Sequence, residues 1–245
     1  MMLLILTLIF TTQPGQYVPI GYRGGVPILR DVTTNELFSL SQSNDLTPVL
    51  AGSALTKVTF INDCSWASIE SQKNSVLIHY SDSTFEYRAM DEIYSVSLSE
   101  DCGFVAFSTA DSVFVYRGRT LAACFKGGFP ALVGNSIYYS VPRDQTGALV
   151  DLLRRPVGDL SHCELVIEKV FEANVLIIEG GQYVLCEIPK SGKPTQVVYN
   201  TLTKKLSPLE EIKYGFNNFV YFPSAKSLYY LNQRDLIVSE RIKYE

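Results

Sequence analysis

Two stretches of this chain repeat one another without a gap. Residues 58–69 align with residues 96–107: each opens on a β-branched residue, carries an Asp-Cys pair (Asp63-Cys64, Asp101-Cys102) and then an aromatic (Trp66, Phe104). The offset between Asp63 and Asp101 is 38 residues, and the likeness continues downstream at nearly the same spacing. Residues 74–80 match 111–117, and each is followed by a further strand-like run, 84–90 and 120–125. Each unit therefore reads as four short strands separated by polar turns. Alternation with period 2 is visible at Val96/Leu98 and Val113/Val115, as expected where one face of a strand is packed. The apolar supply is Val, Ile, Leu, 15 Tyr and 13 Phe, side chains that suit a pleated, half-buried surface.

Weaker copies extend to both ends. The first unit spans residues 3–42, with strand-like runs at 6–10, 17–22, 26–32 and 36–40; later units are expected at 129–170, 171–209 and 212–245. Residues 147–155 are also expected as a strand, while 142–147 and 188–194 read as hairpin loops from their Pro, Gly, Asp and Lys content. A period near 40 is that of a four-stranded propeller blade, and a four-stranded sheet cannot cover both of its own faces. The expected fold is thus all-β, a single β-propeller domain over residues 1–245. Six blades of roughly 41 residues would fill the 245, and five or seven remain open. An open sheet edge is an aggregation hazard, so the first and last segments are expected side by side, one terminus completing a blade begun by the other.

The Asp-Cys turns stand where WD-repeat propellers tend to carry Pro-Asp-Gly, and Arg30-Asp31 stands where their Trp-Asp is usual, in what reads as a third strand, a Thr34-Asn35 turn and a fourth strand. On these residues the chain resembles the divergent WD-repeat-like propellers. No Gly-His dipeptide opens a blade and the only histidines are His79 and His162, so the family's His–Asp network is not carried over.

The formal charge of −4 argues against nucleic acid as the main partner, because phosphate binding needs a concentrated positive field. The five cysteines are widely spaced, with no Cys-x-x-Cys pair; neither a zinc site nor a disulfide framework is indicated, and the thiols read as small buried hydrophobes in cytosol or nucleus. The apolar residues 1–10 lack a basic leader and a small-x-small cleavage site, and are expected as a buried strand, with a secretory signal or anchor as the alternative.

Catalytic chemistry was sought in the residue types it needs. His79 lies in a strand-like run; His162 and Cys163 are adjacent, and adjacent strand side chains point to opposite faces. Asp31, Asp63, Asp101 and Asp111 could supply channel-facing carboxylates of a propeller hydrolase or glycosidase, yet Asp at such places ordinarily closes tight turns. No catalytic residue, cofactor or metal site is therefore expected. The resulting expectation is a non-catalytic protein-interaction scaffold, a subunit of a larger assembly whose partners are other protein subunits. A lipid- or glycan-binding propeller is the further alternative, with the pair Arg154-Arg155 as the feature suited to lipid headgroups. The interaction residues expected are Arg154, Arg155, Tyr22, Tyr87, Tyr138 and Tyr229, with Tyr139 and Tyr214 as additional exposed aromatics.

Overall fold

The computed structural model describes residues 6–9, 16–41, 43, 45–49, 58–61, 65–69, 74–80, 83–143, 147–171, 175–191, 193–208, 220–222, 227–231 and 237–241. Among these, regular structure is strand throughout, apart from one 3-10 turn at Glu179–Gly181. After β1 (Leu6–Ile9), strands β2 (Tyr17–Arg23), β3 (Val26–Asp31), β4 (Leu37–Leu40) and β5 (Leu46–Val49) form a meander. The repeat found in the sequence is realised next. Its first copy is β6 (Val58–Ile61), β7 (Trp66–Ile69), β8 (Ser75–His79) and β9 (Thr84–Arg88). Its second is β10 (Ser95–Leu98), β11 (Phe104–Ser108), β12 (Ser112–Arg117) and β13 (Thr120–Lys126). Two more meanders follow: β14 (Gly128–Val133), β15 (Ser136–Pro142), β16 (Leu149–Pro156) and β17 (Glu164–Phe171), then β18 (Leu176–Ile178), β19 (Tyr183–Lys190), β20 (Lys193–Asn200) and β21 (Lys205–Pro208).

The last sheet contains β22 (Val220–Phe222), β23 (Ser227–Leu231) and β24 (Ile237–Arg241), and β1 completes it in the order β1-β24-β23-β22. Leu6 lies opposite Arg241 and Ile9 opposite Val238, antiparallel. Within the apolar start of the chain, Leu6–Ile9 is thus a strand, and it fills the place that the last unit leaves open.

The described sheets number five rather than six. Strands β2 to β9 share one eight-stranded sheet, ordered β5-β4-β3-β2-β6-β7-β8-β9, because a single parallel bridge between Gly21 and Ile61 joins two successive meanders. Two smaller expectations are also corrected. Because β1 belongs to the last sheet, Arg30-Asp31 and the strand after it are second and third in their meander, not third and fourth. Ile188 to Lys190 and Lys193 to Pro194 are strand rather than loop, with Pro189 opposite Pro194. β18 reaches only as far as Leu185 and β21 only as far as Val197. The two prolines therefore sit on overhanging tips where no further ladder needs their missing N–H groups.

The chain forms two compact units, one of residues 1–70, 78–83 and 214–245, the other of residues 71–77 and 84–213. In the first, Val18, Ile20, Ile28 and Leu37 pack together with Trp66 against them, and the Trp66 ring stacks on His79 with centroids 3.5 Å apart. The buried Asp31 closes the β3–β4 turn. Its carboxylate accepts from the backbone N–H of Thr33 (2.8 Å) and Thr34 (2.9 Å) and from the Gln16 amide (2.8 Å). Asn35, one of the residue types that tolerate left-handed backbone, takes φ 61 there.

The second unit shows why adjacent residues of one strand serve different cores. On β15, Ile137 and Tyr139 join Leu132 in a cluster with Ala106, Val113 and Val115 of the preceding sheet. Tyr138 points to the other face and packs with Val150 and Leu152 against Val184 and Val197 of the following sheet. Both faces of the β14–β17 sheet are covered. The fit at Tyr138 is tight: its hydroxyl lies 3.4 Å from the carbonyl of Gly181, and a Cβ built on Gly181, at φ 94, would fall 1.9 Å from that oxygen.

Two outcomes follow from this packing. Gly181→Ala combines a left-handed backbone with overlap on a buried ring, so it lowers unfolding free energy by roughly 2–3 kcal/mol in urea titrations; Gly158→Ala, with open space around the new methyl, is the near-neutral control. Asp31→Ala leaves two turn N–H groups without their acceptor and costs about 1–3 kcal/mol at neutral pH. Burial alone would raise the Asp31 carboxyl, but its hydrogen bonds to Thr34, Gln16 and Thr33 outweigh this and hold it below its ordinary 3.8. A depressed carboxyl stabilises fully above the unfolded-state value and loses that contribution as pH falls through the folded one. The wild-type advantage over Asp31→Ala therefore shrinks below pH ~4, and an advantage that grew on acidification would contradict the assignment.

Candidate interaction surface

The sheets β10–β13 and β14–β17 meet at Ser108, the last residue of β11 and 1% exposed. Its hydroxyl is 2.8 Å from that of Ser95 on the neighbouring strand. Two further groups converge on it. The N–H of Tyr94 donates to the Ser108 carbonyl at 2.9 Å, and the N–H of Phe129 donates to the Ser108 hydroxyl at 3.3 Å. One buried serine thus anchors the backbone of two aromatics on two consecutive sheets. Tyr94 is 53% exposed and Phe129 54% exposed, and Met90, four residues before Tyr94, is fully exposed.

Phe129 is unusual in a second way. It takes φ 46, a left-handed backbone that costs a residue with a Cβ roughly 1–2 kcal/mol. The local cause is a bulge: the β14–β15 register shifts between Gly128 and Ala131, and an irregularity of this kind re-aims a side chain at a sheet edge. Just upstream, Gly127 at φ 149 lets the backbone pass Tyr139, whose ring would lie 2.7 Å from a Cβ at that position.

The residues singled out from sequence are distributed otherwise. Tyr87 (4% exposed) and Tyr138 (1%) are core residues, as is Tyr139 (2%); Tyr138 and Tyr139 are both buried because both faces of their sheet are covered, whereas Tyr87 lies on the inward face of β9 between exposed Glu86 and Arg88. Tyr87 donates from its hydroxyl to the Gly118 carbonyl at 2.8 Å. Tyr22, on β2, is half-buried. The side chain of Tyr229 and the whole of Tyr214 lie outside the described residues, as do Asp63 and Cys64.

Arg154 and Arg155 are on β16, inside a sheet as expected, and both are engaged within the fold. Arg154 pairs with Glu164, to which Lys204 also approaches at 3.5 Å. Arg155 donates from Nε to the Tyr139 hydroxyl (2.9 Å) and from Nη1 to the Leu160 carbonyl (2.5 Å), and its guanidinium lies 4.6 Å from the centre of the Phe125 ring. The same Tyr139 hydroxyl is 3.2 Å from the Cys163 thiol. Burial first, and then the Cys163 contact, push the Tyr139 phenol up to about 12, with Arg155 pulling the other way; the hydroxyl stays protonated and serves as a structural bridge.

The carboxylates considered for hydrolysis sit in turns. Asp101 accepts from the Ser99 hydroxyl (2.6 Å) and the Gly103 N–H (3.0 Å), and Cys102 beside it takes φ 55, the conformation glycine supplies in a Pro-Asp-Gly turn. Asp111 is exposed and accepts from the Ser112 hydroxyl at 2.9 Å. His162 donates its backbone N–H to the Asp159 carbonyl at 3.2 Å in a turn. Among the described residues no three His, Cys, Asp or Glu side chains are grouped to hold a metal ion.

The cysteines depart from the sequence expectation. Among the described residues only Cys186 is a buried thiol; Cys124 and Cys163 are exposed thiols, and Cys102 is disulfide-bonded. Wide sequence spacing says nothing of which residues a turn brings to the surface, and the Asp-Cys turn places Cys102 there. In native protein kept free of reductant, iodoacetamide is expected to label Cys124 and Cys163 and to spare Cys186, whose thiol burial pushes up to about 12. Peptide mapping should show Cys102 labelled only after reduction; its labelling without reductant contradicts the disulfide.

Among the described residues no helix is long and apolar enough to cross a membrane. No protein-family model matches the sequence, and no curated protein does. Solved structures do resemble it. The C-terminal WD40 domain of Sif2 superposes with a TM-score of 0.53 at 13% identity, covering 93% of this chain and 70% of that one. Hydrazine synthase of Kuenenia stuttgartiensis gives 0.55 at 12% identity over 91% of this chain and 76% of its own. Virginiamycin B lyase of Staphylococcus aureus gives 0.51 at 9% identity over 99% and 100%. At such identities the likeness carries the fold alone: an all-β, WD40-like β-propeller of four-stranded blades.

Proposed function

We propose that this chain is a non-catalytic scaffold that binds other protein subunits, and that the surface at Tyr94, Phe129 and Met90 is one of its contact points. The observation that carries this reading is Phe129, a large apolar ring held 54% exposed on a backbone at φ 46. A fold gains nothing of its own from straining its backbone to present an apolar ring to water. Strain of this kind belongs to sites where it serves recognition, and exposed aromatics are the side chains that anchor protein interfaces. The buried Ser108 supports it, since fixing Tyr94 and Phe129 to one residue lowers the ordering cost of binding.

The six-unit reading of the repeat suits such a role. It counts the two meanders joined at Gly21 and Ile61 as separate blades, each offering its own edge and turns. Hydrazine synthase and virginiamycin B lyase are enzymes on a comparable fold; nothing in their likeness transfers an activity to these residues. The cytosol or nucleus expected from cysteine usage conflicts with a disulfide at Cys102, which persists in oxidising surroundings. The alkylation experiment, done on protein from its native source, decides between them.

The test separates stability from binding. Phe129→Asn places at φ 46 a residue that tolerates it, so thermal stability is expected to stay level or rise by up to about 1 kcal/mol. Partners recovered by affinity purification from the native source should nevertheless fall at least tenfold, and Tyr94→Ala should act in the same direction. Unchanged recovery with both variants, or a wild-type chain that recovers no partner, would defeat the scaffold reading at this surface.

A further inference from the structure

A second feature lies elsewhere in the unit of residues 71–77 and 84–213. A cleft of about 310 Å³ is lined by residues of β9 (Thr84, Phe85, Glu86, Tyr87, Arg88), by Tyr116 and by Arg119 in the β12–β13 turn. Its walls are fixed. Tyr87 and Tyr116 meet edge to face with centroids 4.8 Å apart. The Tyr87 hydroxyl donates to the carbonyl of Gly118, which at φ 54 forms the turn that presents Arg119.

The charges in the cleft are unequal. Glu86 is occupied by Arg88, whose Nε and Nη2 reach its two carboxylate oxygens at 2.7 and 3.1 Å. Arg119 is different: it is exposed and lies 4.4 Å over the Phe85 ring. Arg117, at the other side of the same turn, lies 5.9 Å over Phe104. Among the described residues neither of these arginines makes an ion pair. The Asp101 carboxylate accepts from Ser99 and Gly103 instead. An arginine stacked on an aromatic face keeps its five N–H donors at the edge of the plane, pre-oriented for an approaching carboxylate.

We propose that the Arg119–Phe85 cleft is a recognition site for an acidic segment of a partner protein, with Arg119 forking a carboxylate and the Tyr87–Tyr116 wall receiving the apolar body beside it. The assignment rests on the scaffold reading for the kind of ligand, but on separate residues for the site. Charge complementarity selects the occupant: of the charged residues that line the cleft, Glu86 and Arg88 cancel and Arg119 remains, and a cleft with surplus positive charge and aromatic walls favours a carboxylate next to an apolar side chain. Bidentate geometry makes Arg119 more than a point charge.

The probe is a fluorescein-labelled heptapeptide alternating Glu with Leu and Phe, read by fluorescence anisotropy on the full chain, beside the same peptide with Gln for Glu. The wild type should bind the Glu peptide at least tenfold more tightly than the Gln peptide. Arg119→Gln should weaken the Glu peptide about tenfold and remove the preference, and Arg119→Lys should fall between, because an ammonium cannot form the fork. Arg143→Gln, remote on the β14–β17 sheet, should bind as wild type does. Thermal midpoints of the Arg119 variants should match the wild type, as expected for an exposed side chain, which separates lost binding from lost fold. No measurable binding, equal binding of the two peptides, or Arg119→Gln binding as tightly as wild type overturns the proposal. Those results leave the scaffold reading standing if the Tyr94 and Phe129 variants still lose partners, whereas that reading falls alone if wild type recovers none.

Discussion

The constraint on which the rest depends is that a four-stranded sheet has two apolar faces and can cover neither by itself. Tyr138 and Tyr139 show the solution at the scale of one peptide bond. Successive side chains of β15 point to opposite faces, so one tyrosine enters the core shared with β19 and β20 and the next enters the core shared with β11 and β12. Each sheet is then both a support and a cargo for its neighbours. The close approach of Gly181 to Tyr138 and of Gly127 to Tyr139 is a consequence: two large rings on opposite faces need two places where the adjoining backbone has no Cβ.

That same constraint explains which features were legible beforehand and which were not. A repeat of four short strands is a statement about backbone length and turn residues, and these are written locally. The repeat, with a spacing near 38 residues, aligned β6–β9 with β10–β13, and the Asp-Cys turn announced a glycine-like position that Cys102 does occupy at φ 55. Pairing of the first and last segments was legible as well, through the missing strand of the last unit. Exposure was not. The usual rule that alternate strand residues face water fails when both faces are buried, and for that reason Tyr138 was misplaced; β9 obeys the rule, but its alternation alone does not say that the Tyr87 face is the inward one. Joining of two meanders through Gly21 and Ile61 and the disulfide state of Cys102 are tertiary facts, for which linear spacing offers no signal.

The surfaces that matter were carried by turn chemistry rather than by the aromatic count. Phe129 follows Gly127-Gly128, and Arg119 follows Gly118 between β12 and β13. In both cases a glycine lets the backbone turn sharply and aims the next side chain outward. A large or charged residue directly after a glycine in a strand connection was therefore a usable sign of a presented side chain. Positive φ is not confined to the glycine there, since Phe129 itself adopts it.

Strain and rigidity work together at that point. A strained residue keeps its conformation only when its surroundings over-determine it, and Phe129 is held by the buried Ser108 hydroxyl, by the bulge in β14 and by Gly127 against the Tyr139 ring. The core that buries Tyr139 is therefore also what holds Phe129 out of it. It follows that loosening this core would cost presentation before it cost the fold: as the Tyr139 ring gains room, the left-handed backbone at Phe129 can relax to an ordinary strand and turn its ring away. Stability and the presentation of Phe129 meet in one tyrosine, and they do so because the sheet it belongs to is packed on both sides.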